Sequence, residues 1–178
     1  MKRIVFGLFL AVAAVVAVTS VALANHGGDR NHFRATLNGY NEVVGGAGAS
    51  TGSVSTRATG TFTATLRRDP SRLTFTLRYS DMEGGTVTVA HPHFAQQHVG
   101  GGVFALLCGG TEPACPTPGG TVTGVITSGD IVGPTDQGVE AGAFNEFVRA
   151  LRAGAVYVNV HSTNFPEGEI RGQIRVVD

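Results

Sequence analysis

Two neighbouring stretches alternate apolar and polar residues strictly, and this alternation restricts the fold more than any other feature of the sequence. The apolar positions are Phe62, Ala64 and Leu66 in GTFTATLRR, and Leu73, Phe75, Leu77 and Tyr79 in RLTFTLRYS. A period of two sends alternate side chains to opposite faces, so each stretch is predicted to be a strand with one buried face. Asp69 and Pro70 between them indicate a turn, and the two strands are predicted to pair as a hairpin.

Further short strands are predicted along the chain, separated by turns rich in its 26 glycines. They are placed at residues 33–37, 86–94, 103–107, 121–127, 131–133, 155–161 and 168–177. One segment differs: in AFNEFVRALRAG, four apolar residues from Phe144 to Leu151 fall at i, i+3, i+4 and i+7, which predicts a short helix ended by Gly154. Many short strands with frequent turns favour an antiparallel sandwich or barrel.

The first 24 residues have the pattern of a secretory signal peptide. Lys2 and Arg3 precede an apolar run over 4–18, and Ala22-Leu23-Ala24 fits the small residues before a cleavage site. The alternative, a membrane anchor, is less favoured because a span needs about 20 apolar residues. We therefore expect a leader at 1–24, a flexible segment at 25–31, a single domain at 32–178, and a secreted or periplasmic location.

The charge of the predicted mature chain argues against nucleic acid as a partner. The sequence has 13 basic and 13 acidic residues, and loss of Lys2 and Arg3 with the leader leaves a net charge of −2. Without a basic patch or tail, phosphate backbones have nothing to bind. No second long apolar segment follows the leader, so no membrane span is expected after cleavage.

Cys108 and Cys115 are the two cysteines, and both lie in the Gly- and Pro-rich stretch LLCGGTEPACPTPGG. In a secreted chain an even number of cysteines indicates a disulfide, here one that closes a small loop. A metal role is the alternative, although the spacing is wider than the usual C-x₂₋₄-C knuckle.

Several of these pieces together resemble one family. FRATLNGYNEV, ATGTFTATL, LTFTLRYSDME, TVTVAHPHF and VTGVIT are similar to successive strands of the CHRD domain, named after chordin. The most specific piece is YVNVHSTNFPEGEIRGQI, which carries the family's aromatic, Asn-Val-His, Pro-Gly turn and Gly-Glu-Ile-Arg-Gly-Gln signature. The chain is identified as similar to the single-domain secreted bacterial members.

The resemblance implies an all-β, extracellular module, and in chordin such domains belong to a protein that sequesters growth-factor ligands. For this chain we expect an antiparallel β-sandwich, Ig-like or superoxide-dismutase-like, with one short helix. The partner implied is an unidentified extracellular protein or envelope component. One departure stands out: Pro92 occupies a position where the family usually has Ile or a similar residue. Because proline cannot donate to a sheet ladder, this strand is expected at an edge or at a bulge.

His91 and His93 flank Pro92 and are candidate metal ligands. On a strand they point the same way, about 6–7 Å apart at their Cα atoms, and two such imidazoles can bind one copper or zinc ion. His161 is the candidate third ligand, and Glu169 could add a carboxylate as a ligand or as a partner for an imidazole. If the His161 ring lay more than about 8 Å from both other rings, bonds near 2 Å would exclude a shared ion. His26, His32 and His98 are weaker candidates.

The alternation also complicates this hypothesis. His91 and His93 share a face with Val87 and Val89, whereas His161 lies opposite the valines of its own strand. Convergence therefore requires a bulge or a change of sheet, and Pro92 is the expected place for a bulge. Two other interpretations stay open: hydrogen-bonded structural histidines, and a pH-sensitive pair that titrates near pH 6.5.

Polar residues around the final turn have a structural interpretation. Glu169 and Arg171 are expected on one face of the last strand as an ordinary ion pair. If they are buried beside Asn159 and His161, a satisfied polar network would fix the register of the last hairpin.

The sequence predicts a non-enzymatic binding or structural module outside the cytoplasm. It contains no G-x-S-x-G, no phosphate-binding glycine loop and no H-E-x-x-H, so no catalytic residues are assigned and the question of enzymatic activity stays open. The alternative function is a copper- or zinc-binding metalloprotein that uses His91, His93 and His161 and could be redox-active.

Overall fold

The computed structural model of the chain describes residues 31–45, 52–67 and 71–177. It contains nine strands: β1 His32–Asn38, β2 Thr59–Leu66, β3 Leu73–Ser80, β4 Val87–Phe94, β5 Gly102–Val103, β6 Gly120–Ile126, β7 Val156–Ser162, β8 Ile170–Gln173 and β9 Arg175–Val177. One α-helix, α1, spans Phe144–Arg152, and one-turn 3₁₀ helices span Gly39–Asn41, Ser128–Asp130 and Thr135–Gln137. The predicted leader lies outside the described residues.

The strands form one antiparallel sheet in the order β5-β4-β7-β8-β1-β2-β3-β6, with β9 also paired to β1. The predicted β2–β3 hairpin is confirmed, because Thr59 pairs with Ser80 at one end and Leu66 with Leu73 at the other. Within the described segments, no helix is long and apolar enough to cross a membrane. The expected all-β class with one short helix is confirmed.

The two halves of the sheet enclose a single hydrophobic core. Buried residues from β1, β2 and β3 and from β4, β7 and β8 belong to one continuous cluster, so the sheet curls until its halves face each other. The predicted inward positions of the hairpin are all buried, among them Phe62, Leu73 and Leu77 at 0% exposure. The period-two pattern therefore identified the buried face correctly.

Helix α1 packs on this core through the residues that its period indicated, Phe144, Phe147, Val148 and Leu151. It ends as predicted at Gly154, whose φ of +69° is the left-handed conformation that glycine adopts most easily. The Gly154 N–H donates to Leu151 O, and the Ala155 N–H donates to Ala150 O. This pattern is a Schellman motif, which satisfies carbonyls that the helix end leaves open.

Three predicted strands differ from the structure. The strand expected at 168–177 is divided at Ile174 into β8 and β9. The strand expected at 103–107 is regular only at Gly102–Val103, because Pro92 in the neighbouring strand has no N–H with which to continue the ladder. The following residues still run beside β4: the Phe104 N–H donates to Pro92 O, the Leu107 N–H donates to Ala90 O, and the Ala90 N–H donates to Cys108 O. Residues 131–133 form no strand, and the Val132 N–H makes a single bond to Phe104 O.

Candidate functional site

The register of β4 against β7 places the three candidate histidines on one face of the sheet. His91 lies opposite Asn159, His93 opposite Tyr157, and Val89 opposite His161. Directly opposed residues point to the same side, so all three imidazoles share a face. The other face carries Ala90, Pro92 and Phe94 against the three valines of β7, and it contributes to the core.

The alternation predicted that His91 and His93 share a face with Val87, whereas His161 lies opposite the valines of its own strand. A bulge in β4 removes this disagreement, but the bulge is not at Pro92. The register shifts between Val87 and Val89, so Val87 points into the core while Val89 lies on the histidine side. Pro92 sits in regular pairing opposite Val158. Because its carbonyl accepts from Phe104, its nitrogen also faces the β5 side, and no bond to β7 is lost. Strand β4 is next to the sheet edge, with the two-residue β5 outside it.

The three rings lie close together and are nearly buried. The ring centroids are 4.4 Å apart for His91 and His93, 4.6 Å for His91 and His161, and 6.5 Å for His93 and His161. One ring nitrogen from each histidine lies within 4.8 Å of the other two. The side chains are 7–8% exposed. The predicted set is therefore brought together, well inside the distance that would have excluded a shared ion.

Backbone carbonyls fix the tautomers of two of these rings. His93 Nδ1 lies 2.7 Å from Gly101 O, and His161 Nδ1 lies 2.8 Å from Pro166 O. A carbonyl only accepts, so each Nδ1 carries the hydrogen and each Nε2 keeps a lone pair. These Nε2 atoms and His91 Nδ1 are buried without a hydrogen-bond partner. With the hydrogen of His91 on its Nε2, three lone pairs are available to one electron-pair acceptor.

Burial keeps the imidazoles neutral. It lowers the pKa of His91 to about 3, with further lowering by the neighbouring rings of His93 and His161. Burial likewise lowers the pKa of His93 to about 4 and lowers the pKa of His161. Neutral imidazole is the form that binds metal ions.

Tyr157 and Arg171 support the His93 ring from the strands beside it. The Tyr157 ring stacks on His93 at 4.6 Å with an interplanar angle of 7°, and the Arg171 guanidinium lies 3.3 Å from the Tyr157 centroid. Arg171 also donates to the carbonyls of Gln96 and Val99. The same guanidinium therefore holds the loop whose Gly101 carbonyl orients His93.

Glu42 and Asn159 complete the polar face. Asn159 is 2% exposed and lies between His91 on β4 and Arg171 on β8. Glu42 is 3% exposed, accepts from the Val43 N–H, and has a pKa raised by burial. Gly168 lies between β7 and β8. A Cβ at this position would clash with Glu42 Oε2 and lie 2.9 Å from Asn159 Nδ2, so only glycine fits there.

Glu169 has a different environment from the one expected. It is fully buried, and its carboxylate accepts from Thr56 Oγ1 and the Glu83 N–H at one oxygen, and from Ser162 Oγ and the Gly84 N–H at the other. It contacts neither an imidazole nor Arg171, because it precedes β8 and the alternation of that strand does not apply to it. The interpretation as a satisfied polar anchor fits this geometry better than the ion pair.

The remaining sequence-predicted residues are also placed. Cys108 and Cys115 form the predicted disulfide, with Cα atoms 5.1 Å apart, and Cys108 pairs with Ala90 beside His91. His32 and His98 are exposed and away from the cluster, and His26 lies outside the described residues. Sequence reasoning did not select Glu42, Tyr157, Gly101 or Pro166 for the site. For Tyr157 the alternation of its strand was a usable signal, since it shares a face with Asn159 and His161. Glu42, Gly101 and Pro166 lie in separate loops, and nothing in their local pattern indicates that these loops meet at one face.

Comparison with known proteins identifies the family. The model of the CHRD domain matches residues 33–174, which include the three histidines, both cysteines and every element except His32 at the start of β1 and the whole of β9. No curated protein and no solved structure matches the chain. Because the match covers most of its length, the chain belongs to the CHRD domain family.

Proposed function

We propose that this protein is a secreted or periplasmic CHRD module that binds one transition metal ion through His91, His93 and His161. The observation that carries the proposal is the convergence of three buried imidazole nitrogens, each without a hydrogen-bond partner. Buried polar atoms are rarely left without a partner, so three such atoms in one place indicate a missing ligand.

The spacing of these nitrogens suits an ion after small movements. Bonds of 2.0–2.1 Å in a tetrahedral arrangement require about 3.3 Å between donor atoms. The nitrogens lie within 4.8 Å of one another. Rotations of the rings about their side-chain bonds can close the difference, since each Nδ1–H bond to a loop carbonyl acts as a pivot.

The donor set favours copper or zinc. Imidazole suits both metals, and neither cysteine is available as a softer ligand, since both are in the disulfide. The lowered pKa values mean that a metal ion has no protons to displace at neutral pH. The same lowering disfavours a pH sensor, because the rings stay neutral through the range where such a sensor must change charge.

The extracytoplasmic location rests on the leader pattern, the family and the disulfide. Together with the metal site, these features describe a binding module whose ligand is an ion. No enzymatic activity is part of the proposal.

The test is metal content. Secreted protein is stripped with a chelator, incubated with Cu(II) or Zn(II), dialysed and measured by elemental analysis. The wild-type chain should retain about one equivalent, and His161→Gln should lose most of it, because two ligands bind far more weakly than three. His32→Gln changes an exposed histidine outside the cluster and is the matched control. Less than about a tenth of an equivalent in the wild type would rule out a specific site.

A further inference from the structure

The buried polar atoms without partners share a location and a chemical type. Among the described residues these atoms are Glu42 Oε2, His91 Nδ1, His93 Nε2, Asn159 Oδ1, His161 Nε2 and Gln173 Oε1. The five strand residues lie on the outer face of β4, β7 and β8, and Glu42 lies beside Asn159 at Gly168. With the hydrogen of His91 on its Nε2, all six atoms accept hydrogen bonds or donate a lone pair.

Because only acceptors and lone-pair donors lack partners, the missing ligand has to accept electron pairs and to donate hydrogen bonds. A bare metal ion would satisfy the three imidazole nitrogens but would leave the oxygens of Asn159 and Glu42 without donors. An anion on the metal would place further acceptors against those oxygens, which is unfavourable. A metal-bound water supplies two hydrogens, enough for Asn159 and Glu42 but not for Gln173 as well, and coordination strengthens its O–H groups as donors.

We infer that the ion has water as a fourth ligand and that Asn159 Oδ1 positions this water by accepting its hydrogen bond, with Glu42 as the next acceptor. The inference rests on the proposed metal site and names its exchangeable ligand. Asn159 is directly opposite His91 in the sheet, and both Asn159 and Glu42 border Gly168. Asn159 is thus the side chain that links the imidazoles to the buried carboxyl group.

The proposed water is an exchangeable ligand, whereas the three ring nitrogens are themselves buried. A small anion such as azide should replace the water, and its affinity should report how firmly the water is held.

The experiment uses the Cu(II)-loaded secreted chain. Pulsed EPR in H2O and D2O detects exchangeable protons on a copper ligand, and azide titration follows the charge-transfer band of the azide complex. Asn159→Leu removes the acceptor at similar volume and should raise azide affinity about threefold to tenfold, the effect of one net hydrogen bond. Asn159→Asp keeps an acceptor and adds negative charge, so azide affinity should fall. Asn145→Leu, at an exposed position of α1, is the matched control and should leave it unchanged.

The outcomes separate the two proposals. Copper that binds with three imidazole couplings but with no exchangeable proton would overturn the water ligand and leave the proposed function intact. Failure of the wild type to load copper or zinc would overturn both. Equal azide affinities in Asn159→Leu and Asn145→Leu would overturn the role of Asn159. If the leucine variant does not fold, Asn159→Ala, which also removes the acceptor, should show the same rise in azide affinity over Asn145→Leu, and no rise would overturn the role of Asn159.

Discussion

The imidazole rings of His91 and His161 lie 4.6 Å apart, on strands that are adjacent in the sheet although far apart in the chain. The pairing of β4 with β7 produces this contact. The bulge between Val87 and Val89 lets Val87 point into the core while Val89 and the histidines of β4 lie on the opposite face. A one-residue slip of that pairing would turn every histidine of β4 toward the valine core. The site and the register of these two strands therefore depend on each other.

Metal binding should stabilise the fold. A ligand at about 100 times its dissociation constant adds about 2.7 kcal/mol to the free energy of unfolding. For a chain of this size that corresponds to a rise in melting temperature of about 5–10 °C. Calorimetry of the wild type with and without one equivalent of Cu(II) or Zn(II) measures the rise. His32→Gln should show it and His161→Gln should not; an equal rise in all three would indicate nonspecific binding.

The metal-free protein should lose stability in mild acid. Burial lowers the pKa of His91 to about 3 and that of His93 to about 4, whereas unfolded histidine titrates near 6.5. Below about pH 6.5 the unfolded chain therefore binds more protons, and the free energy of unfolding decreases as the pH falls toward 4. Each histidine contributes up to about 1.4 kcal/mol per pH unit. Urea unfolding at pH 7, 6 and 5 measures the slope.

Glu42 acts in the opposite direction. Its pKa is raised above 4.5 by burial, so above that pH it destabilises the fold as the pH rises. Near pH 4.5, Glu42 therefore offsets part of the acid destabilisation that the three histidines cause, but a single carboxyl group does not reverse it. His91→Gln removes one of the groups and should flatten the slope between pH 7 and 5. A slope identical to that of the wild type would contradict the assignment.

Glu169→Gln should destabilise the protein by about 2–4 kcal/mol. The amide group would face donors where the carboxylate accepts, leaving a buried N–H of Glu83 or Gly84 without an acceptor. Glu167→Gln makes the same chemical change at an exposed position two residues away, and should stay within about 0.5 kcal/mol of the wild type. Denaturant midpoints compare the two; similar losses would mean that the four hydrogen bonds of Glu169 contribute little.

The disulfide should be complete in protein isolated without reductant. Thiol titration of unfolded, unreduced chain is expected to find no free thiol, since Cys108 and Cys115 are paired. The double variant Cys108→Ser, Cys115→Ser should lose about 2–3 kcal/mol by the loop-closure model, because the bridge spans seven positions. Two free thiols in the wild-type titration would contradict the pairing.

The sequence by itself determined the all-β class, the β2–β3 hairpin with its buried face, helix α1 with its end at Gly154, and the histidines that meet. These depend on local periodicity, which a strand or helix expresses wherever it lies. The motif at the final turn also predicted the family correctly.

Only the tertiary structure decided which face the histidines share and what surrounds them. The bulge near Val87 follows from the pairing of β4 with β7, and a single strand pattern does not contain its partner's register. Glu42, Gly101 and Pro166 reach the site from separate loops. Glu169 does not lie in the site, because it precedes β8 and the alternation of that strand does not apply to it. The sequence thus identified the candidate ligands by residue type and spacing, whereas the packing of distant segments fixed two of their tautomers, their lowered pKa values and their unpartnered atoms.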